Sequence, residues 1–471
     1  MTSALGVPML TLPQIAAWAE GDLVVRHVPE GPTAREALLR SGITGVSIDT
    51  RTLSPGDLFV PLRGTHADGH AFIGKAFAAG AAAALCERTA YASLRGQEPG
   101  PLIVVEDATV ALQRLGTHWR LGWEGELIAI TGSNGKTTTK NMVAAVLATR
   151  YATLKSEASL NNHWGVPLTL LELRPEHKAA VLELGMNHAG EIKALAAIAR
   201  PDAGLITNAG EAHLEHLGSL EAVAAAKAEL GFALPAGAPL FVNADQPHLL
   251  AALRGAPCRL FTFGFSADAQ VKALAVEDLG PEGLRVTVDG FPPVRLRLVG
   301  RHHAYNALAA LAVARALELD PDACVRALET IGGAPMRMEV RPWRGATLIL
   351  DCYNANPSAT RSALETLASW PNAERRIAVL GDMLELGADA ARLHEETGAA
   401  ARDAELWAVG RFAEDYARGA RHAGVEARVF ATKAELGQAL ERAARPGVVA
   451  LLKASRGSRL EEVLDAVEGA H

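Results

Sequence analysis

The chain has 471 residues, 49% hydrophobic and 21% charged, with a formal net charge of -7. At ~150 residues per domain it can bury about three cores, and without a basic surplus it has no general means of holding nucleic acid or an anionic membrane by counterion release, so anionic ligands must be held by local sites. Cys86, Cys258, Cys324 and Cys352 lie far apart with no CxxC spacing, which reads against a disulfide framework and a zinc knuckle and points to a reducing cytosol.

The start, Met1 to Asp22, carries no basic n-region, and Pro8 and Pro13 interrupt it, which reads against a signal peptide. No run reaches the ~18 apolar residues of a membrane span. Short apolar runs then alternate with Ala/Leu-rich helical stretches, the pattern of α/β layers with mostly parallel strands, and no repeat of fixed period is present. Strands are expected at 58–62, 82–87 and 102–106, with Gly- and Asp-containing turns such as His66-Ala67-Asp68-Gly69-His70 between them. This first domain ends at 107. The second, 108–333, opens on a helical stretch. It continues with a strand at 127–130, a Gly-rich turn, a long helix from Lys136, strands at 180–183 and 204–207, and a helix at 220–232. The alternation over 282–299 predicts an antiparallel strand or hairpin. Gly332-Gly333-Ala334-Pro335 is a breaker, and the third domain, 334–471, repeats strands at 348–351, 377–380, 406–409 and 448–452 with helices between, a small doubly wound unit.

The clearest chemical signal is Thr131-Gly132-Ser133-Asn134-Gly135-Lys136-Thr137-Thr138, after a strand and opening a helix. Backbone N–H groups, the helix N-terminus and the lysine all present positive charge to phosphates, and the Thr137 hydroxyl can ligate Mg²⁺. Strict Walker A spacing asks for glycine where Ile130 stands, so the match is to the variant T-G-x-N-G-K-T. The bland reading is a glycine-rich turn with a solvated lysine. No N-K-x-D base reader of a GTPase is present.

This loop resembles that of the Mur ligases and of folylpolyglutamate synthetases, which activate a carboxylate as an acyl phosphate for attack by an amine. Further motifs resemble those families in order: Glu183-Leu184-Gly185, Asn208 to His213, Ala226-Lys227, Gly300-Arg301-His302 to Asn306-Ala307-Leu308-Ala309-Ala310, Arg337 and Asp351. Asp351-Cys352-Tyr353-Asn354-Ala355-Asn356-Pro357, Leu380-Gly381-Asp382-Met383-Leu384-Glu385-Leu386-Gly387 and Lys453-Ala454-Ser455-Arg456 resemble the Mur ligases that add D-alanyl-D-alanine, with no histidine near Asn354 or Ala355 where the diamino-acid-adding ligases have one. Ser47-Ile48-Asp49-Thr50-Arg51, Pro55-Gly56-Asp57-Leu58-Phe59 and Asp68-Gly69-His70 resemble the UDP-binding module of two of the ligases, which folylpolyglutamate synthetases lack. Departures from the family pattern stand at His303 for Asn, Leu350 for Asp, Ala454 for Gly and Ser159 for Asn.

The resemblance implies three α/β domains: an N-terminal UDP-binding module, a central phosphate-loop ATPase-like domain with a mostly parallel sheet, and a Rossmann-like C-terminal domain. It implies ATP and Mg²⁺, two ions, as cofactors, and UDP-N-acetylmuramoyl-tripeptide and D-alanyl-D-alanine as the molecules joined by a monomeric cytoplasmic enzyme. Domain closure would bring the residues of separate domains together. Nucleotide contacts fall on Gly132 to Thr138, with Asn306 on adenine, Arg337 on the γ-phosphate and Asp351 on ribose. Metal and catalytic roles fall on Lys136, Thr137, Glu183, His213 and Lys227, the last carbamylated. UDP-substrate contacts fall on Ser47, Asp49, Thr50, Arg51, Asn161 and Asn162; the dipeptide region comprises Tyr353, Asn354, Asn356, Asp382, Glu385, Lys453, Ser455 and Arg456.

From the residues alone, Glu183, Asp351 and Lys453 stand at carboxyl ends of strands, where parallel sheets collect ligands, and a shared cleft is expected. Plainer readings stay open: a surface or capping carboxylate for Glu183, a hydrogen-bonded structural histidine for His213, a linker salt bridge for Arg337, a turn after a strand for Asn161 and Asn162, and a solvated helix lysine paired with Glu229 or another carboxylate for Lys227. Rival functions are a diamino-acid-adding Mur ligase, a folylpolyglutamate synthetase-like ligase, and a phosphate-loop kinase or nucleotide switch.

Overall fold

The computed structural model describes residues 10–25, 36, 40, 42–64, 67–157 and 160–468; His66 and Ser159, singled out above, lie outside the described residues. Two compact units are present, one made of Met1–Leu127, Leu154–Leu184 and Ala194–Pro201, the other of Ile128–Thr153, Gly185–Lys193 and Asp202–His471.

In the first unit the sheet runs in the order Asp22–Val24, Leu102–Val105, Ala83–Glu87, Leu58–Phe59, Val46–Ser47, all parallel except the first pair. Strand side chains alternate between faces. Leu58, Ala83, Leu85, Ile103 and Val105 accordingly pack with the helices Leu12–Ala19 and Ala108–Leu121, while Phe59, Ala84, Cys86 and Leu102 pack with Ile73 and Ala76 on the other side. The helix Ala108–Leu121, capped by Asp107 accepting from Val110 N, begins where the sequence ends the first domain, yet its buried face completes that domain's core. Gly116 in this helix lies against Pro167 of the helix Gly165–Leu171, where an added Cβ would come within 2.8 Å.

The second unit holds two sheets. One runs Glu126–Thr131, Ala203–Ile206, Pro239–Asn243, Arg259–Gly264 and Val271–Asp278 in parallel, then continues antiparallel through Leu284–Val288 and Val294–Leu296. The hairpin expected over 282–299 is therefore the end of a three-stranded meander whose first strand carries no clean alternation. Against this sheet lies the helix His302–Ala316, buried nearly all round, and the helix Lys136–Leu147 packs on it. The other sheet has the order Glu339–Trp343, Ala346–Asp351, Val448–Lys453, Arg375–Leu380, Glu405–Val409, Ala427–Phe430, parallel except for the first pair. Alternate residues of its strands enter separate cores on its two faces, Ile349, Ala378, Leu380 and Leu451 on one and Leu348, Ile377, Val379 and Leu452 on the other. This is the doubly wound domain expected from the sequence, with two added edge strands. Among the described residues no helix is long and apolar enough to cross a membrane.

Candidate functional site

The phosphate loop is shaped by the strand end beside it. Gly132 has φ 147° and Gly135 φ 80°, conformations that favour glycine. A Cβ on Gly132 would collide with the Thr207 hydroxyl, and one on Gly135 would stand 2.6 Å from Asn306 Oδ1. Ser133 N donates to Asn208 O at 3.0 Å and Asn134 N to Asn208 Oδ1 at 2.9 Å, while Asn208 Nδ2 and Thr207 Oγ1 donate to Asn134 O at 3.1 and 2.7 Å. Ser133 Oγ accepts from Gly210 N at 2.9 Å and donates to Gly210 O at 3.1 Å. A loop braced in this way presents its shape before any nucleotide arrives. Lys136 opens the helix half-buried, not as an exposed loop residue, with Nζ donating to Gly132 O at 2.7 Å.

Residues far along the chain converge on this loop. Asn356 caps the helix Pro357–Ala368 through Ala359 N, and its Nδ2 donates to Asn134 Oδ1 at 2.8 Å; Asn134 Nδ2 donates in turn to Ser358 Oγ at 3.1 Å. Arg337 places its guanidinium 3.8 Å from the Tyr353 ring centroid, with Nη2 donating to Thr137 Oγ1 at 3.4 Å. Asn306 is buried below the loop, accepting from Thr139 Oγ1 at 3.1 Å and lying 3.1 Å from His303 Nδ1. Burial pushes the His303 imidazole well below its ordinary pKa and holds His302 at about 4, so both rings are neutral at pH 7.

His213 has left-handed backbone, φ 58°, and its Nδ1 lies 2.8 Å from the Glu385 carboxylate, itself at φ 63°. That hydrogen bond holds the Glu385 carboxyl below the usual range. Glu215 N also donates to Glu385 O. Lys227 lies on the helix Leu220–Ala233 and is 1% exposed, which excludes the solvated reading. Glu229 instead accepts from the backbone N–H groups of Gly190 and Lys193.

In the first unit Glu183 is 2% exposed and accepts from Asn161 Nδ2 at 2.9 Å. Asn162 Oδ1 accepts from Trp164 N and Gly165 N at the start of the following helix. Asp49 takes Arg51 N and the Arg51 guanidinium, and the Arg51 side-chain hydrogen bonds hold its carboxyl down to about 2. Ser47 Oγ donates to Asp49 O, and Thr50 lies half-buried in the same turn.

Residues 130–314 match the Mur ligase middle domain, 336–456 the glutamate ligase domain of Mur ligases, and 42–119 the Mur ligase family, catalytic domain. The UDP-N-acetylmuramoyl-tripeptide–D-alanyl-D-alanine ligase of Bacillus subtilis is 35% identical over 454 residues, covering 94% of this chain and 97% of the relative. The chain belongs to the Mur ligase family. Among solved structures, MurF from Acinetobacter baumannii is similar at a TM-score of 0.86 and 30% identity, over 98% of this chain and 100% of that one. MurF ligase from Thermotoga maritima in complex with ADP is similar at 0.78 and 26% identity, over 90% and 97%. The three-domain Mur ligase fold is therefore the fold of this chain.

Within this Mur ligase, one expectation needs correction. Asp351 and Lys453 do stand side by side at strand ends, with Lys453 Nζ 2.5 Å from Asp351 Oδ2 and 2.9 Å from Asn354 O. Glu183 ends the strand Ala179–Glu183 of a different sheet, so the three do not share one edge; strand-end position is legible in sequence, but sheet membership is not. Several residues expected at the dipeptide make hydrogen bonds within the protein. Asp382 accepts from Arg411 N and Phe412 N, Ser455 links Leu384 N to Ala355 O, and Arg456 pairs with Glu461. Asn354 is exposed, its Oδ1 accepting from Ala355 N. Thr207 and Ser358 brace the phosphate loop without having been expected to. A hydroxyl in isolation carries no signal for such a role.

Among the described residues no cluster of three or more His, Cys, Asp or Glu forms a ready metal cage. A hydroxyl on the phosphate loop at Thr137 suits Mg²⁺ arriving on nucleotide oxygens, since that ion takes few protein ligands and keeps its waters.

Proposed function

We propose that the chain is an ATP-dependent amide ligase joining D-alanyl-D-alanine to UDP-N-acetylmuramoyl-tripeptide, giving the pentapeptide precursor of peptidoglycan, ADP and phosphate. The observation that carries this reading is the pre-braced phosphate loop with Arg337 set beside Thr137, in a chain aligned along nearly all of a D-alanyl-D-alanine ligase.

In the reaction, a carboxylate oxygen of the tripeptide attacks the γ-phosphorus, the bond to the ADP oxygen breaks, and an acyl phosphate forms. The neutral dipeptide amine then attacks the acyl carbon. The tetrahedral adduct collapses by expelling phosphate as the nitrogen loses a proton. The protein's task is to position and neutralise charge. Loop N–H groups and Lys136 cradle the phosphates, and Arg337 meets the charge that develops on the transferred group with a fixed fork of donors. Asn306 would serve adenine and Asp351 the ribose. Mg²⁺, two ions in this reading, would be held by Thr137, Glu183, His213 and a carbamylated Lys227, and would supply Lewis acidity at the phosphate oxygens. Ser47, Asp49, Thr50, Arg51, Asn161 and Asn162 would serve the UDP-sugar peptide. Domain limits of 1–107, 108–333 and 334–471, and a cytosolic location, belong to the same reading.

A coupled phosphate-release assay tests it. Phosphate should appear only when ATP, the UDP-muramoyl tripeptide and D-alanyl-D-alanine are all present. Release without an amine, or a phosphoryl group retained on a product, would transfer the chain to a phosphatase or kinase class.

A further inference from the structure

Arg337 stands between two non-glycine residues in left-handed backbone, Met336 at φ 56° and Met338 at φ 52°. Such conformations persist only where the surroundings hold them, and they gather at functional sites. Here the bracing is explicit: Tyr353 N donates to Met336 O at 3.1 Å, Met336 N to Glu339 Oε2 at 2.9 Å, and Met338 N to Asp351 Oδ1 at 3.3 Å. The segment is pinned on both sides so that the Arg337 side chain leaves it in one direction.

The guanidinium then lies over the Tyr353 ring, 3.8 Å from its centroid, and reaches the phosphate loop at Thr137 Oγ1. Among the described residues Arg337 forms no ion pair with a carboxylate. A guanidinium resting on a ring uses its π face for the contact, and its N–H donors, which lie in the plane, stay available for phosphate oxygens. The ring in turn spends a face on arginine.

We infer that Tyr353 is a positioning residue for phosphoryl transfer, the platform that aims Arg337 at the terminal phosphate of ATP, and not a contact of the dipeptide. This rests on the ligase reading above. The contact is cationic and aromatic, so the ring is what carries it.

The test uses the full-length protein and titration calorimetry with a non-hydrolysable ATP analogue and with ADP, alongside steady-state kinetics. Tyr353→Phe keeps the ring and should hold the ATP analogue more tightly than Tyr353→Leu does. Tyr353→Leu should bind the ATP analogue about 3- to 30-fold more weakly, the size of one cation–π contact. It should bind ADP unchanged, since ADP lacks the phosphate that Arg337 meets, and should lower kcat with KM for the dipeptide unaltered. In an Arg337→Met background, Tyr353→Leu should add little further loss, as a double-mutant cycle reads coupling between the two side chains. The inference is overturned if Tyr353→Leu raises only the dipeptide KM, weakens ADP and the analogue equally, or leaves both affinity and kcat at wild-type values. It is likewise overturned if the two losses simply add in the cycle. Failure of the wild-type protein to bind either nucleotide would instead mark failure of the ligase reading itself, and this inference would fall with it.

Discussion

A lysine that is 1% exposed within a helix must be paired or give up its positive charge, because an uncompensated buried ammonium is costly. Carbamylation, as proposed above for Lys227, would turn the amine into an anion with two oxygens of the kind Mg²⁺ accepts. We expect Lys227→Ala to lose nearly all ligase activity, and short carboxylic acids to restore part of it by filling the vacated oxygen positions. Wild-type turnover by the alanine variant would contradict the assignment. At this scale the sequence is most legible where chemistry is local: Gly132 to Thr138 can be read from spacing alone. What supports those residues is less so. Asn134 meets Asn356 across 222 residues of chain, and the ring of Tyr353 serves an arginine sixteen positions before it in the sequence. Neither relation leaves a periodic trace.

The elements followed from pattern where they are buried and apolar. The strands Ala83–Glu87, Ala179–Glu183 and Val448–Lys453 are apolar runs of the length that buried parallel strands require. Glu339–Trp343 escaped notice for a physical reason: it is an edge strand and contains Arg341 and Pro342, which an edge accepts and a central strand does not. Between the neighbouring strands Arg375–Leu380 and Glu405–Val409, Arg375 grips Glu405 with Nε and Nη2 at 2.6 and 2.7 Å, and this bidentate bond holds the Glu405 carboxyl below its ordinary pKa. A carboxyl depressed by folding stabilises the native state above its unfolded pKa of ~4.3 and loses that contribution as pH falls through the lower folded value. Glu405→Gln should therefore be less stable than wild type at pH 7, by up to about 1 kcal/mol for a partly exposed pair, and the gap should close as pH falls below the depressed folded pKa. Thermal melts of both proteins across that range measure it. An equal gap at both ends would show that the carboxylate charge is not what stabilises the pair.

For the molecule as a whole, domain order was legible because the motifs fall in sequence along the chain, from Ser47 through the phosphate loop to Lys453. The packing units were not: the helix Ala108–Leu121 completes the first domain's core although the sequence places it at the start of the second. Amphipathic period reports that a helix has a buried face and not which sheet it covers. The reading of amine specificity depends on the whole C-terminal domain, where several side chains expected at the dipeptide brace the backbone, and Asn354 remains exposed. The most direct measurement is a competition in which the purified protein, ATP, Mg²⁺ and UDP-N-acetylmuramoyl-tripeptide receive equal amounts of D-alanyl-D-alanine, lysine and diaminopimelate, with products identified by mass. The account predicts the D-alanyl-D-alanine adduct as the dominant product. Preferential addition of lysine or diaminopimelate would contradict it.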